Sequence, residues 1–111
     1  MPTELPGAPG SPDVSDVKDT SMVLNWIPPA EKGGCKLDGY IIEYRADGFG
    51  SWVRPSSELV PDLEYTVRKL ITDKTYEFRV AAKNKVGLGP FSFSSKPVKA
   101  GQPIGKLFHK F

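Results

Sequence analysis

The chain has 111 residues, room for one domain with a single modest core, and its 15 basic and 13 acidic residues leave a net charge of +2. The basic residues lie singly among acids, which excludes the one-sided field of a nucleic-acid-binding protein; no apolar run reaches the ~18–20 residues of a membrane-spanning helix. Gly and Pro, 11 of each, fall between short apolar runs, as turn punctuation does in an all-β domain.

In chain order, residues 1–11 ("MPTELPGAPGS") are Pro/Gly-rich and read as a semi-stiff linker, without the basic-then-apolar layout of a secretory signal. "SMVLNW" then alternates, with Met22, Leu24 and Trp26 on one face, and two prolines end it. After the glycine loop "EKGGCKLDG", "YIIEYR" points Tyr40, Ile42 and Tyr44 inward against Ile41, Glu43 and Arg45. "ADGFGS" turns the chain into a short "WVR", and Pro55 and Pro61 bracket the stretch leading to "EYTV". In "TYEFRVAAK" Tyr76, Phe78, Val80 and Ala82 share one face and Glu77, Arg79 and Lys83 the other. The turn-rich "NKVGLGP" follows, and a last strand falls within "FSFSSKPVKA", where Pro97 requires an edge.

Seven short strands with turns about every 8–12 residues, and no room for a three-turn helix between residues 12 and 101, predict an all-β fold. The expected architecture is a seven-stranded antiparallel β-sandwich with Greek-key connections over residues 12–101. Residues 102–111 are expected as a flexible C-terminal tail. The core is expected to comprise Trp26, Tyr40, Ile42, Leu70, Tyr76, Phe78 and Val80. Tyr76 opens its strand six residues after Leu70. A Tyr there buries its ring and sends its hydroxyl to backbone a few residues upstream, while Leu70 fills the core beneath the turn.

With Trp26, "GYIIEY" (39–44), Leu70, Tyr76 and "NKVGLGP" in place, the chain resembles a fibronectin type III domain over residues 12–101. "PDVSDVKDTSMVLNWIPPAEKGG" and "YEFRVAAKNKVGLGPFS" resemble the modules of the giant muscle proteins, the titin, twitchin and myosin-binding protein C group. The resemblance implies a non-catalytic structural and interaction module of a sarcomeric protein, a spacer and docking surface in the cytoplasmic myofibril. The implied partners are myosin or other thick-filament components and neighbouring modules, with the isolated domain monomeric and neither nucleic acid nor membrane bound. A module of a cell-surface receptor or adhesion ectodomain is the alternative, with an extracellular location. The lone Cys35, which allows no internal disulfide, and the absence of an Asn-x-Ser/Thr sequon at Asn25 and Asn84 lean towards a reducing compartment.

Three features are candidates for protein binding. Trp52 is either an aromatic anchor for a partner or a cover for the sheet with an Arg such as Arg45 stacked on it. Glu43, Arg45 and Arg79, with Glu77 and Lys83, are expected on the exposed face of the larger sheet, where alternating signs form cross-strand pairs or a docking surface. In "NKVGLGP", Lys85, Val86 and Leu88 are the presented positions, Gly87 and Gly89 permit positive φ, and Asn84 either joins the recognition loop or caps its turn. The Arg-Gly-Asp tripeptide of integrin-type adhesion is absent from this loop.

Catalytic, metal and cofactor sites are not expected. The sole histidine, His109, is in the tail, Cys35 has no histidine partner, and no phosphate-binding glycine loop joins a strand to a helix. The tail carries Ile104, Leu107, Phe108 and Phe111 at amphipathic helical spacing among basic residues.

Overall fold

The computed structural model describes residues 2–101, which contain seven strands and no helix. The strands are β1 (Asp13–Ser15), β2 (Met22–Asn25), β3 (Gly39–Ala46), β4 (Glu64–Val67), β5 (Thr75–Lys83), β6 (Leu88–Phe91) and β7 (Val98–Lys99). One antiparallel sheet has the order β1-β2-β4; the other has the order β3-β5-β6, with β7 also paired to β5. The core lies between them, where Trp26, Tyr40, Ile42, Leu70, Tyr76, Phe78 and Val80 are each at most 5% exposed.

Alternation explains this placement, because successive side chains on a strand leave opposite faces of its sheet. Met22 and Leu24 of β2 are fully buried, and Trp26 continues their face to meet Tyr40 edge-on at 5.5 Å between ring centroids. β3 and β5 run in unbroken register from Gly39 opposite Lys83 to Ala46 opposite Tyr76. This register sets Tyr44 edge-on to Tyr76 and tilted against Phe78 on the inner face, with centroids 5.6 and 6.2 Å apart.

The seven strands divide the chain differently from the sequence pattern. β1, with its three residues, lies in a stretch where alternation singles out no strand. Conversely, "WVR" forms only a single bridge, Val53 opposite Tyr44, and Val60 forms another opposite Tyr40. Pro55, which has no N–H to donate, interrupts any ladder between them. The last strand is split into β6 and β7, and Ser92 and Ser95 carry the pairing across the gap. Each serine donates its backbone N–H to a β5 carbonyl, Val80 or Phe78, at 2.8 Å. Each then accepts the N–H of that same β5 residue on its hydroxyl oxygen at 3.1 Å. A side-chain oxygen thus stands in for a carbonyl, and a three-residue step on this edge matches a two-residue step on β5.

At the entry to β5 the Tyr76 hydroxyl accepts the Ile71 N–H at 2.8 Å, and Leu70, 4% exposed, fills the space beneath. Lys69 makes the approach to this corner with a left-handed φ of 62°. The Ala46–Phe49 turn at the same end uses Asp47 and Gly48 at φ 58° and 76°, the positive-φ pair that a tight hairpin turn requires.

Candidate protein-docking face and domain end

The outer face of the β3–β5 sheet brings together Glu43, Arg45, Arg79 and Trp52. Register places Glu43 directly opposite Arg79, and Arg45 directly opposite Glu77. Arg79 donates to Glu43 Oε1 from Nη2 at 2.7 Å and from Nε at 3.1 Å, while Arg54 Nη2 donates to Glu43 Oε2 at 3.0 Å. Arg45 Nε donates to Glu77 Oε1 at 2.6 Å. The guanidinium carbon of Arg79 lies 4.1 Å from the ring centroids of both Trp52 and Phe91, and that of Arg45 lies 4.7 Å from Trp52. Planar cations thus alternate with aromatic faces, a favourable arrangement because the ring quadrupole is negative on its face.

Burial pushes the Glu43 carboxyl upward, but the hydrogen bonds and charges of Arg79 and Arg54 outweigh it and hold the group below its ordinary 4.5. Glu43, with a side chain only 11% exposed and both oxygens engaged, presents little to a partner. Arg54 is the most open member of the network, at 42%. Arg54 and Phe91 escaped the sequence reading, although Arg54 sits two residues after Trp52 and so shares its face by alternation. Ile41, expected outward among the charges, does lie on this side of the sheet opposite Ala81. Both are buried, 6% and 0% exposed, so the outer face has an apolar portion of its own.

At the end of the domain where β5 runs into β6, Asn84 caps its turn, the second of the two roles open to it in the sequence. Its side chain is fully buried. Asn84 Oδ1 accepts the Val86 and Gly87 N–H groups at 2.9 and 3.3 Å, and Nδ2 donates to the carbonyls of Glu4 and Lys32 at 2.7 and 2.9 Å. One amide thereby joins three stretches of chain, and none of its capacity is left for a partner. Lys85 and Val86 are exposed and Leu88 is half-buried, so the presented surface of the loop is narrower than the sequence motif. Gly89 does not take a positive φ. It is needed for space, since a Cβ there would run into the carbonyl of Pro6. The stretch expected as a linker is laid along this end, with the N–H groups of Glu4, Gly7 and Gly10 donated to the carbonyls of Gly33, Glu31 and Ile27.

Among the described residues, no three His, Cys, Asp or Glu side chains are grouped to hold a metal ion. A shallow cleft of about 720 Å³ separates Ser11–Val14 from Ser95–Lys99. The hydroxyls of Ser11 and Ser95 there are donated to the carbonyls of Ser94 and Lys96. The amphipathic pattern from Ile104 to Phe111 and the sole histidine, His109, lie outside the described residues.

Comparison with known proteins agrees with this geometry. Cardiac-type myosin-binding protein C of Rattus norvegicus is 35% identical over 106 residues, 96% of this chain and 8% of that protein. Juxtamembrane domain-associated catenin of Caenorhabditis elegans is 41% identical over 91 residues, 81% of this chain and 7% of that protein. The chain thus spans less than a tenth of the length of these relatives. The crystal structure of titin domains A168–A170 superimposes with a TM-score of 0.85 and 36% identity, covering 90% of this chain and 34% of that one. The fibronectin type III domain profile matches residues 7–98. Two facing antiparallel sheets closed on Trp26, a tyrosine-pinned corner and this match agree: the chain belongs to the fibronectin type III domain family.

Proposed function

We propose that the chain is a non-catalytic spacer and protein-docking module of a large modular protein of the cytoplasmic myofibril, with thick-filament components such as myosin and neighbouring modules as its partners. The observation that carries this reading is the tie made by Asn84, which fixes the entering chain and two loops to one end of the domain. A spacer transmits direction and length only if its ends are rigidly joined to its core. Similarity to modules of myosin-binding protein C and titin supports the setting. The docking surface is the stacked face around Trp52, Arg45 and Arg79, together with the Lys85–Leu88 tip.

Co-sedimentation of the domain with myosin filaments at physiological salt tests the docking half. Saturable binding is expected, and it weakens in Trp52→Leu or in Lys85→Glu, according to which surface is used. If the folded domain stays in the supernatant at every concentration, myosin docking is refuted. The spacer half is tested separately by stretching a tandem of the domain. Discrete unfolding peaks are expected, and featureless extension would refute it.

A further inference from the structure

The strap formed by residues 4–12 follows a rule of three. Pro6, Pro9 and Pro12 are buried, while Leu5, Ala8 and Ser11 face solvent. Glu4, Gly7 and Gly10 donate their backbone N–H groups to the domain at 2.9, 2.8 and 3.2 Å. Three residues per turn is the repeat of a polyproline II helix, and prolines stiffen such a segment before it docks. The receiving groove is specific in shape. Gly33, at φ 85°, and Gly89 form its floor, and a Cβ on either would strike a strap carbonyl. Asn84 caps the groove by donating to the Glu4 carbonyl at 2.7 Å. The domain therefore contains a built receptor for a Pro-x-x-Pro-x-x-Pro segment that it recognises through proline rings and backbone polar groups.

We infer that the strap is exchangeable between copies: the groove of one molecule accepts residues 4–9 of a second. The strap is the one segment whose fit to this groove is shown contact by contact, and every copy carries both parts. The connection to the body of the domain runs through Gly10 and Ser11, a short pivot held by two hydrogen bonds that open when it turns: Gly10 N–H to the Ile27 carbonyl at 3.2 Å and the Ser11 hydroxyl to the Ser94 carbonyl at 3.0 Å. The contacts of residues 4–9 are the same in cis and in trans, so the tether and these two bonds set the balance. A short tether gives an effective concentration on the order of mM, and the wild-type domain is therefore monomeric well below that concentration. Copies held side by side reach the regime in which identical elements swap. This inference is independent of any binding at the sheet face.

A complementary pair of full-length variants tests it. In the acceptor, Pro6→Asp with Pro9→Asp ejects its own strap and leaves the groove open. In the donor, Gly89→Val blocks the groove and leaves the strap free. Each alone is expected to sediment as a monomer; mixed in equal amounts at about 100 µM, an order of magnitude below the tethered concentration, they are expected to double in mass. In an isotope-labelled acceptor, the Gly33 amide and the Asn84 side-chain amide should return to their wild-type resonance positions. A mixture that stays monomeric while both variants keep native spectra of the core overturns the inference. Should the donor not fold, a synthetic peptide of residues 2–12 replaces it. Restoration of the Gly33 and Asn84 signals then supports the exchange, and silence up to several mM peptide overturns it. Peptide binding without a heterodimer, from a folded donor, also overturns exchange between copies and leaves the groove as a site for a separate Pro-rich segment.

Discussion

The two faces of the β3–β5 pair are set by one register and closed by opposite means. On the inner face Tyr44, Tyr76, Phe78 and Val80 are sealed by the facing sheet, and Phe78 and Val80 have no exposed area. On the outer face no second sheet arrives, and three arginines, two glutamates and two aromatic rings close over one another. Inside, stability scales with buried apolar area and tolerates no void. Outside, it depends on pairs that water and salt can replace, so each is worth less and more of the surface remains free for a partner.

The largest break in this contrast is expected from Phe78→Ala. Removing a fully buried ring from beside Tyr44 and Tyr76 loses its transfer energy and leaves a cavity, for about 3–5 kcal/mol. Denaturant unfolding should show a lower midpoint with an unchanged slope; a loss under 1 kcal/mol would mean that the inner face is not tightly packed.

On the outer face, Glu43→Gln is expected to cost about 1–3 kcal/mol at pH 7, because two arginines lose the charge they share. The pH dependence identifies the cause. The carboxyl is depressed in the folded state, so its stabilising effect is complete above the ordinary value of 4.5 and is lost as pH falls through the folded value. The gap in melting temperature between wild type and Glu43→Gln should therefore narrow below pH 4.5. A gap that is constant between pH 3 and 7 would assign the loss to shape instead of charge.

Tyr76→Phe tests the inner face at its corner, since it keeps the ring inside and removes only the hydroxyl. About 1–2 kcal/mol should be lost as the Ile71 N–H is left without its acceptor. An unchanged midpoint would show that the corner needs only the ring. This residue also marks how much the sequence makes legible. The alternation around Tyr76, with Leu70 six positions before it, specifies the core, the sheet faces and the corner, because apolar burial repeats with the pleat. The cross-strand ion pairs were equally readable once β3 and β5 were aligned. Asn84 was readable only in part: a cap on its own turn is a local pattern, but the Glu4 and Lys32 carbonyls that its Nδ2 reaches come from stretches distant in sequence. The docked strap and the serine-mediated edge were hidden for a related reason. Their signal is a period of three in backbone contacts, which emerges only when the partner loop is in place.

The smallest effect is expected from Trp52→Leu, and it discriminates best between cover and anchor. The substitution removes the ring that Arg45 and Arg79 flank but keeps an apolar side chain at the site. Two exposed cation–π contacts are worth about 0.5–1 kcal/mol each at most, and the arginines keep their carboxylates, so the melting temperature should fall only slightly. If Trp52 merely covers the sheet, binding to any partner changes in the same small proportion. If it anchors a partner, as a central interface tryptophan does, affinity falls by about 2 kcal/mol or more, roughly thirtyfold, on a domain of almost unaltered stability. Measuring both quantities on the one variant separates the outer face as a lid from the outer face as a binding surface.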